Sequence, residues 1–489
     1  GKAAPCANVL SSIPGSSSLA FNFNQREAQL YFNQSVHAEP STCPMCWWGL
    51  AYSHGPYLNQ PYGIHPDDPA MGLAAAQQAA AVAAKVPELS PKERGLIGAM
   101  AVRFPQPPSQ DPSAWAAAAA RYVSALEALH AALPGGDDVD VAIFLAEAIM
   151  LTMCKRDGYH FYNSTTGLPY ANTNRAEALL LGAIARTNSS ATFHPYAPHL
   201  FIHLTEPSAP SNVSSSSVFQ PVVPFGAGGA ARGLPSAALL AQHLAATDNQ
   251  HLLHMPGHTY LRVGRYADAW RQNQQVAHVA DAHYLAHAQR PYAPAHNLAF
   301  GLYGACMAGM QKAALESSAT LRGIYLAYPD RSDGPGPEMG FALEHTTRLR
   351  FGDFRGVVGL DPSTTLPRAW PYAHVLRSYA NGSALLQLGR RAEAAAEYDH
   401  LQVSAANTSA WFAPLVKVAR LALLANLQAN ALLNGTLSSA VATLEEAVDE
   451  QVSWAYDEPP KFHMPLRQCL GRLLLRADLP ERAHAVFAA

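Results

Sequence analysis

Charged residues are scarce in this chain of 489 residues: Asp, Glu, Lys and Arg together make up 14%, against 49% apolar residues. Acidic and basic residues nearly balance, with a formal net charge of −3 when histidine is neutral, and no block of like charge stands out. Binding nucleic acid or an anionic membrane surface requires a concentration of basic side chains. We therefore expect neither as a partner. The apolar content predicts a well-packed chain and argues against disorder.

Long apolar runs are also missing. No run of 18 apolar residues occurs, and the alanine-rich stretch 74–84 is interrupted by Gln77 and Gln78. Because a membrane-crossing helix needs about 20 apolar residues, we predict no membrane span. The chain has no Walker A motif, no His-Glu-x-x-His and no Gly-x-Ser-x-Gly. Nucleotide hydrolysis on a P-loop, zinc proteolysis and serine hydrolysis therefore lack their usual signatures.

Glycosylation sequons, in contrast, are in excess. The composition would give about two by chance, whereas seven Asn-x-Ser/Thr sequons occur, at Asn33, Asn163, Asn188, Asn212, Asn381, Asn407 and Asn434. Glycans of this kind are added to secreted proteins. The sequence therefore predicts a secreted, extracellular glycoprotein.

Cysteines are few and even in number, six in all, which permits disulfides without fixing their pairing. In an oxidising compartment the pair Cys43 and Cys46 is expected to form a disulfide. That bond could be local, or either cysteine could pair with Cys6 or Cys154.

A spaced pattern of small and aromatic residues recurs along the chain. Small residues let two helices approach closely, and an aromatic side chain fills the gap to the next pair. Four segments match the spacing of tetratricopeptide repeats: Ala28, Phe32 and Pro40; Gly257, Tyr260 and Ala269; Ala394 and Tyr398; and Ala483 and Phe487. We predict an all-α, tetratricopeptide-like solenoid, a right-handed superhelix of antiparallel helix hairpins. It would span residues 21–489, after an extended segment 1–20 and with a Ser/Pro/Gly-rich insertion loop at 207–233.

Histidines recur at helical spacing in one predicted repeat. His251, His254, His258 and Arg262 lie at offsets 0, 3, 7 and 11, which places them on one stripe of a helix. In this repeat register the stripe faces the concave groove. Pro256 is expected to interrupt the helix or to mark its start.

The neighbouring predicted helices carry matching residues. His199 and His203 are four residues apart, a spacing that suits two ligands of one metal ion. The metal ligands predicted across the three helices are His199, His203, His254, His258 and His296. The expected ligand-binding residues of the groove are His251, Arg262, Asn297, Tyr303 and Met307. Met255 and Met307 nearby make copper the first choice of metal, with zinc and iron as alternatives. A polar groove without metal and purely structural histidines remain open.

Several blocks of the chain resemble a family of bacterial tetratricopeptide-repeat proteins of ill-defined function. The matching blocks are residues 23–28, 46–51, 199–203, 254–262, 296–297, and 456–460 with 467–468. Gly257 stands where that family more often has Ser. The resemblance implies the solenoid fold and says hardly anything about activity.

Three functions therefore stay open. The first is a binding protein whose His-lined groove holds a metal ion or a small polar ligand. The second is a metal-dependent oxidoreductase, most plausibly a copper enzyme, with one coordination position left for substrate. The third is an extracellular structural glycoprotein that self-associates head to tail or as another homo-oligomer.

Overall fold

The computed structural model confirms an all-α fold. It describes residues 16–63, 65–133, 135, 138–155, 158–163, 166–189, 191–208, 229–244, 249–287, 294–327, 336–360, 366, 369–454 and 457–488. The candidate residues Cys6 and Asn212 lie outside these ranges. Whether the chain belongs to the tetratricopeptide family, and whether its superhelix is right-handed, stay predictions.

The chain divides into two compact units, each with its own hydrophobic core. Unit 1 takes its residues from Gly1–Ser211, Gly226–Arg262 and His278–Tyr292. Its helices are α1 (Ser16–Phe21), α2 (Gln25–Ala38), α3 (Pro44–His54), α4 (Asp68–Ala83), α5 (Pro91–Met100), α6 (Pro112–Ala132), α7 (Val139–Leu151), α8 (Ala171–Arg186), α9 (Tyr196–Thr205), α10 (Leu234–His243), α11 (Gln250–His254) and α12 (Pro256–Arg262).

Unit 2 takes its residues from Asn212–Phe225, Val263–Ala277 and Ala293–Ala489. Its helices are α13 (Tyr266–His287), whose last residues belong to unit 1, α14 (Pro294–Met307), α15 (Gln311–Ala327), α16 (Gly336–Arg350), α17 (Phe354–Gly359), α18 (Pro371–Gln387), α19 (Arg391–Ala405), α20 (Ala413–Ala429), α21 (Leu437–Ser453), α22 (Leu466–Arg476) and α23 (Pro480–Ala488).

Consecutive helices pack against each other as hairpins in both units. Glycines on the facing helices make room for two aromatic residues of the repeat pattern: a Cβ on Gly49 would clash with the Phe32 ring, and one on Gly471 would clash with the Phe487 ring. Only glycine lets the partner helix bring its aromatic ring so close. The hairpin between α18 and α19 turns at Gly389, whose φ of 77° suits glycine.

The structure corrects two local expectations near the chain's start and middle. Ser16–Phe21 is helical, so the prediction of an extended segment over 1–20 is wrong for residues 16–20. A short antiparallel ladder pairs Cys154–Lys155 with Gly158–Tyr159, where no strand was predicted. Of the predicted insertion at 207–233, the structure describes only its ends, and Gly229–Gly233 forms a 3₁₀ helix.

The predicted local disulfide is present, since Cys43 and Cys46 are bonded to each other across the first turn of α3. Cys154 is a free, buried cysteine. Its thiol donates a hydrogen bond to the Met150 carbonyl at 3.3 Å, so the alternative pairing of Cys43 or Cys46 with Cys154 is wrong.

One helical stretch among the described residues is long and apolar enough to cross a membrane by length and composition alone. It covers Ala410–Ala429, with a mean hydropathy of 1.4, and half of it is buried. Core helices pass the same test. Lys417 within it contacts the carboxylates of Glu446 and Glu450 on α21, which fits a packed hairpin.

The described sequons differ in exposure. Asn188, Asn407 and Asn434 are exposed, whereas Asn33, Asn163 and Asn381 are half-buried. Local hydrogen bonds occur in both groups: Asn163 accepts from the Thr166 backbone N–H, Asn381 donates to Glu397, and exposed Asn407 donates to the Val403 carbonyl. By exposure, Asn188, Asn407 and Asn434 are the better glycan acceptors.

We predict that at least three of the seven sequons carry glycans in protein from its native source, with Asn188, Asn407 and Asn434 occupied first. Intact-mass measurement before and after glycosidase treatment checks this, and each Asn→Gln variant should remove one increment of mass. A native protein that loses no mass would contradict both glycosylation and the secreted location inferred from it.

Candidate metal centre

The histidine cluster of unit 1 is built by α9 and by the pair α11 and α12. Every residue of α9 is buried, and its sequence is apolar apart from His199, His203 and a Thr. A helix that is apolar all round belongs to an interior. The two histidines therefore lie on one face of a buried helix, one turn apart.

The second arm of the cluster is a helix broken in the middle. As predicted, Pro256 marks a new helical start: α11 ends at His254 and α12 begins at Pro256. Proline lacks the N–H that would continue the first segment. His251, His254 and His258 are all buried on these two short segments.

The imidazoles meet in two pairs through their Nε2 atoms. His199 Nε2 lies 3.1 Å from His251 Nε2, and His254 Nε2 lies 2.7 Å from His258 Nε2. Two nitrogens bound to one ion at 2.0–2.1 Å would be about 2.9–3.4 Å apart. The first pair has that spacing, and the second is slightly tighter.

His203 joins the first pair. Ligand nitrogens of His199, His203 and His251 all lie within 4.8 Å of one another. The ring centroids of His203 and His251 are 5.8 Å apart, and those of His203 and His258 are 5.7 Å apart. Three imidazoles therefore surround one point, and His203 connects them to the second pair.

Glu206 contacts two of the histidines through their Nδ1 atoms, on the opposite side of each ring from Nε2. His203 Nδ1 lies 2.9 Å from Glu206 Oε1, and His258 Nδ1 lies 2.6 Å from Glu206 Oε2. A carboxylate only accepts, so each of these contacts holds the proton on Nδ1. Both Nε2 atoms are then left to bind a ligand, as in the carboxylate–histidine–metal arrangement.

His203 Nε2 is a buried nitrogen of the cluster that makes no hydrogen bond in the described part of the chain. A buried polar atom without a partner costs about 1–3 kcal/mol. A ligand nitrogen of His203 lies within 4.8 Å of those of His199 and His251, and an ion shared by the three imidazoles would supply the missing partner.

Burial sets the protonation of these groups. It lowers the pKa of His199 and of His251 well below the usual value, and their histidine neighbours lower it further. Burial also lowers the pKa of His203, although Glu206 opposes that shift. Burial acts to raise the pKa of Glu206, but His258 and His203 hold it below its ordinary value. His199, His203 and His251 are thus neutral imidazoles beside the ionised Glu206 carboxylate.

Phe23 covers the cluster from the side of α1. Its ring centroid lies 4.6 Å from that of His199, 4.8 Å from that of His251 and 5.6 Å from that of His203. Its φ of 57° is the left-handed region, which costs a non-glycine residue about 1–2 kcal/mol. The next-door Asn22 side chain accepts from the Leu252 N–H on α11 at 2.9 Å. The strained turn therefore fixes an aromatic wall against three of the histidines.

A second buried polar network supports the start of α9. Tyr52 and Tyr196 each donate to Glu147, both at 2.8 Å, and the Arg103 guanidinium lies 4.6 Å from the Tyr52 ring centroid. Burial raises the pKa of Glu147, while Arg103 opposes the shift. The Tyr196 ring is 5.6 Å from that of His199, so this network holds the helix that carries the histidines.

Of the sequence-predicted site residues, His199, His203, His254 and His258 come together in unit 1. His251 was expected to bind a ligand in the groove, but it belongs to the same imidazole cluster. Arg262 ends α12 and donates to the Ser208 carbonyl at 3.1 Å. Glu206, Phe23 and Tyr159 were missing from the prediction, and Tyr159 contacts His203 with its hydroxyl 3.3 Å from Nδ1.

The remaining predicted residues, His296, Asn297, Tyr303 and Met307, lie on α14 in unit 2. Within that unit the Tyr303 ring packs 5.3 Å from that of His463, and Met307 Sδ accepts from Arg350 at 3.5 Å. Burial raises the pKa of the Tyr303 hydroxyl. Inside unit 2, Tyr303 and Met307 therefore have packing partners.

Comparison with known proteins adds no relative. No protein-family model matches the chain, and no curated protein sequence matches it. The resemblance to bacterial tetratricopeptide-repeat proteins therefore stays a prediction, and the function has to be argued from the site.

We predict that Glu206→Gln lowers the metal affinity of the centre by about 10–100-fold, because an amide can present its NH₂ to a histidine and no longer fixes both Nδ1 protons. Competition titration against a chelator of known affinity measures the change. Glu88→Gln, at an exposed glutamate of unit 1, is the control and should leave affinity unchanged. Equal affinities for the two variants would contradict the orienting role of Glu206.

Proposed function

We propose that this chain is a metal-binding protein and that unit 1 holds a first-row transition metal among His199, His203, His251, His254 and His258. The observation that carries the proposal is His203. Its Nδ1 is fixed by Glu206 at 2.9 Å, and its buried Nε2 has no hydrogen bond in the described part of the structure. A ligand nitrogen of His203 also lies within 4.8 Å of those of His199 and His251.

A set of hydrogen-bonded imidazoles is the main alternative for the same geometry. One neutral imidazole can donate to another, so each Nε2 pair could be a hydrogen bond. Such pairing would still leave His203 Nε2 buried without a partner. A metal ion would give the paired Nε2 atoms and His203 Nε2 a ligand together. This favours a metal centre over a metal-free set of hydrogen-bonded imidazoles.

The ligand type narrows the choice of metal. Imidazole nitrogens suit copper, zinc, iron and nickel, whereas magnesium and calcium prefer oxygen. Met255 is fully buried at the junction of α11 and α12, next in sequence to His254. A thioether that joins imidazoles at a metal would favour copper. We therefore propose copper first, with zinc and iron as alternatives, in a secreted, glycosylated protein.

Burial favours binding over catalysis. The side chains of His203, Glu206 and His258 are at most 1% exposed, and the Phe23 ring closes one side. An oxidoreductase needs a coordination position that a substrate can reach. Azide added to the copper-loaded protein distinguishes the two hypotheses: a changed copper spectrum indicates an open position, and an unchanged one indicates a closed binding centre.

We predict that native protein contains stoichiometric first-row metal by elemental analysis. The double variant His254→Ala with His258→Ala should lose at least part of that metal and keep its helical circular dichroism, because the hydrophobic cores lie mostly elsewhere. Adding His203→Ala should remove the metal completely.

The matched control is His37→Ala with His400→Ala, which removes two exposed histidines outside the cluster and should retain all metal. Metal-free native protein, or equal metal loss in the control, would overturn the proposal. If metal is absent and the molecular mass measured by light scattering rises with concentration, the self-association hypothesis takes its place.

A further inference from the structure

Unit 1 contains a cleft that none of the clustered histidines lines, in the stack of α6, α7 and α8. Its volume is about 430 Å³, and side chains from all three helices line it. The middle helix, α7, packs against both α6 and α8 and contributes the buried apolar residues Ala142 and Leu145 to the lining. Small-molecule sites are typically clefts of roughly 300–1,000 Å³ with apolar walls and a few polar groups.

One face of α8 runs along this cleft. The helix lines it with Arg175, Leu179, Gly182 and Arg186, among others, at offsets 0, 4, 7 and 11. Residues at these offsets form one stripe of a helix, and eleven residues of helix span about 16 Å. The stripe therefore has an arginine at each end and no charged residue between them.

Gly182 leaves the middle of the stripe open. Outside the backbone of α8, the one described atom within 4 Å of a Cβ placed on Gly182 is Arg186 Nη1, at 3.5 Å. The Arg186 side chain therefore turns back along α8, and its guanidinium lies over Gly182. A positive charge is thus held beside the apolar part of the cleft.

The opposite wall, on α6, includes Glu127 and His130. Glu127 forms an ion pair with Arg175 of α8, with side chains 36% and 45% exposed. Exposed ion pairs of this kind contribute little to stability, so a bound anion can compete for Arg175. With histidine neutral, two arginines and one glutamate leave the lining with one net positive charge.

We propose that this cleft binds a small amphipathic carboxylate, a molecule with an apolar chain and one acidic group. The chain would pack against Leu145 and Leu179, which lie on adjacent helices of the lining. The acidic group would bind the Arg186 guanidinium, because a guanidinium holds a carboxylate with two parallel hydrogen bonds. The net positive charge disfavours a cation. This cleft shares no residue with the imidazole cluster, so the proposal does not rest on the metal proposal.

Calorimetric titration of the full-length protein with octanoate, kept below its micelle-forming concentration, tests the site at constant ionic strength. We expect saturable binding. Acetate keeps the charge but loses the chain that buries apolar surface, and 1-octanol keeps the chain but loses the charge. Each of these two ligands should therefore bind about tenfold or more weakly than octanoate.

Gly182→Leu fills the cleft with a side chain and should weaken octanoate binding by about tenfold or more. The fold should be kept, because the position accommodates a Cβ and leucine favours a helix more than glycine does. Gly98→Leu is the matched control, since Gly98 is an exposed glycine of α5 where a Cβ would meet no described atom within 4 Å. It should bind octanoate as the unmodified protein does.

Arg186→Gln tests the charge and is the second test if Gly182→Leu fails to fold, which thermal unfolding would reveal. It should weaken octanoate binding by about tenfold, to the level of 1-octanol, whereas Arg26→Gln, at an exposed arginine of α2, should change nothing. The proposal is overturned if the unmodified protein does not bind octanoate, or if acetate or 1-octanol binds as tightly. Equal octanoate affinities within either pair of matched variants would overturn it as well.

Discussion

The arrangement of unit 1 depends on a single carboxylate, Glu206, held between two imidazoles. A buried carboxylate without partners would be strongly destabilising, whereas one with two hydrogen-bonding partners is tolerated. His203 and His258 supply those partners at 2.9 Å and 2.6 Å. Because they use Nδ1 for this purpose, the chemistry of the centre is left to Nε2.

The need to hold these imidazoles in place explains the residues that enclose the cluster. His199, His203 and His251 stay neutral because burial lowers their pKa, and this depends on keeping water away from them. Phe23 does this on one side at the cost of a left-handed backbone, and Tyr196, tied to Glu147, holds the start of α9. The strained residue and the buried polar network are thus both explained by the need to keep five imidazoles in a dry, fixed arrangement.

Sequence predicted the parts of this arrangement that lie within one helix. The spacings of His199 with His203 and of His254 with His258 predict a shared helix face for each pair. Pro256 predicts the break between α11 and α12. The all-α class followed from the repeated small and aromatic residues in the same way. Sequence did not predict Phe23, because its contact with the histidines spans most of unit 1 and depends on how α1 packs. Glu206 was visible one turn after His203, but only the fold shows that it also reaches His258.

The break at Pro256 divides the three histidines of this arm between two helical segments. In one straight helix, His251, His254 and His258 would form a single stripe and face a single neighbour. With two short segments, His251 instead pairs with His199 on α9, while His254 pairs with His258 across the break. The result is two Nε2 pairs, with His203 beside the first and Glu206 bonded to one member of the second. The proline therefore separates the segment whose histidine meets α9 from the segment whose histidine contacts Glu206.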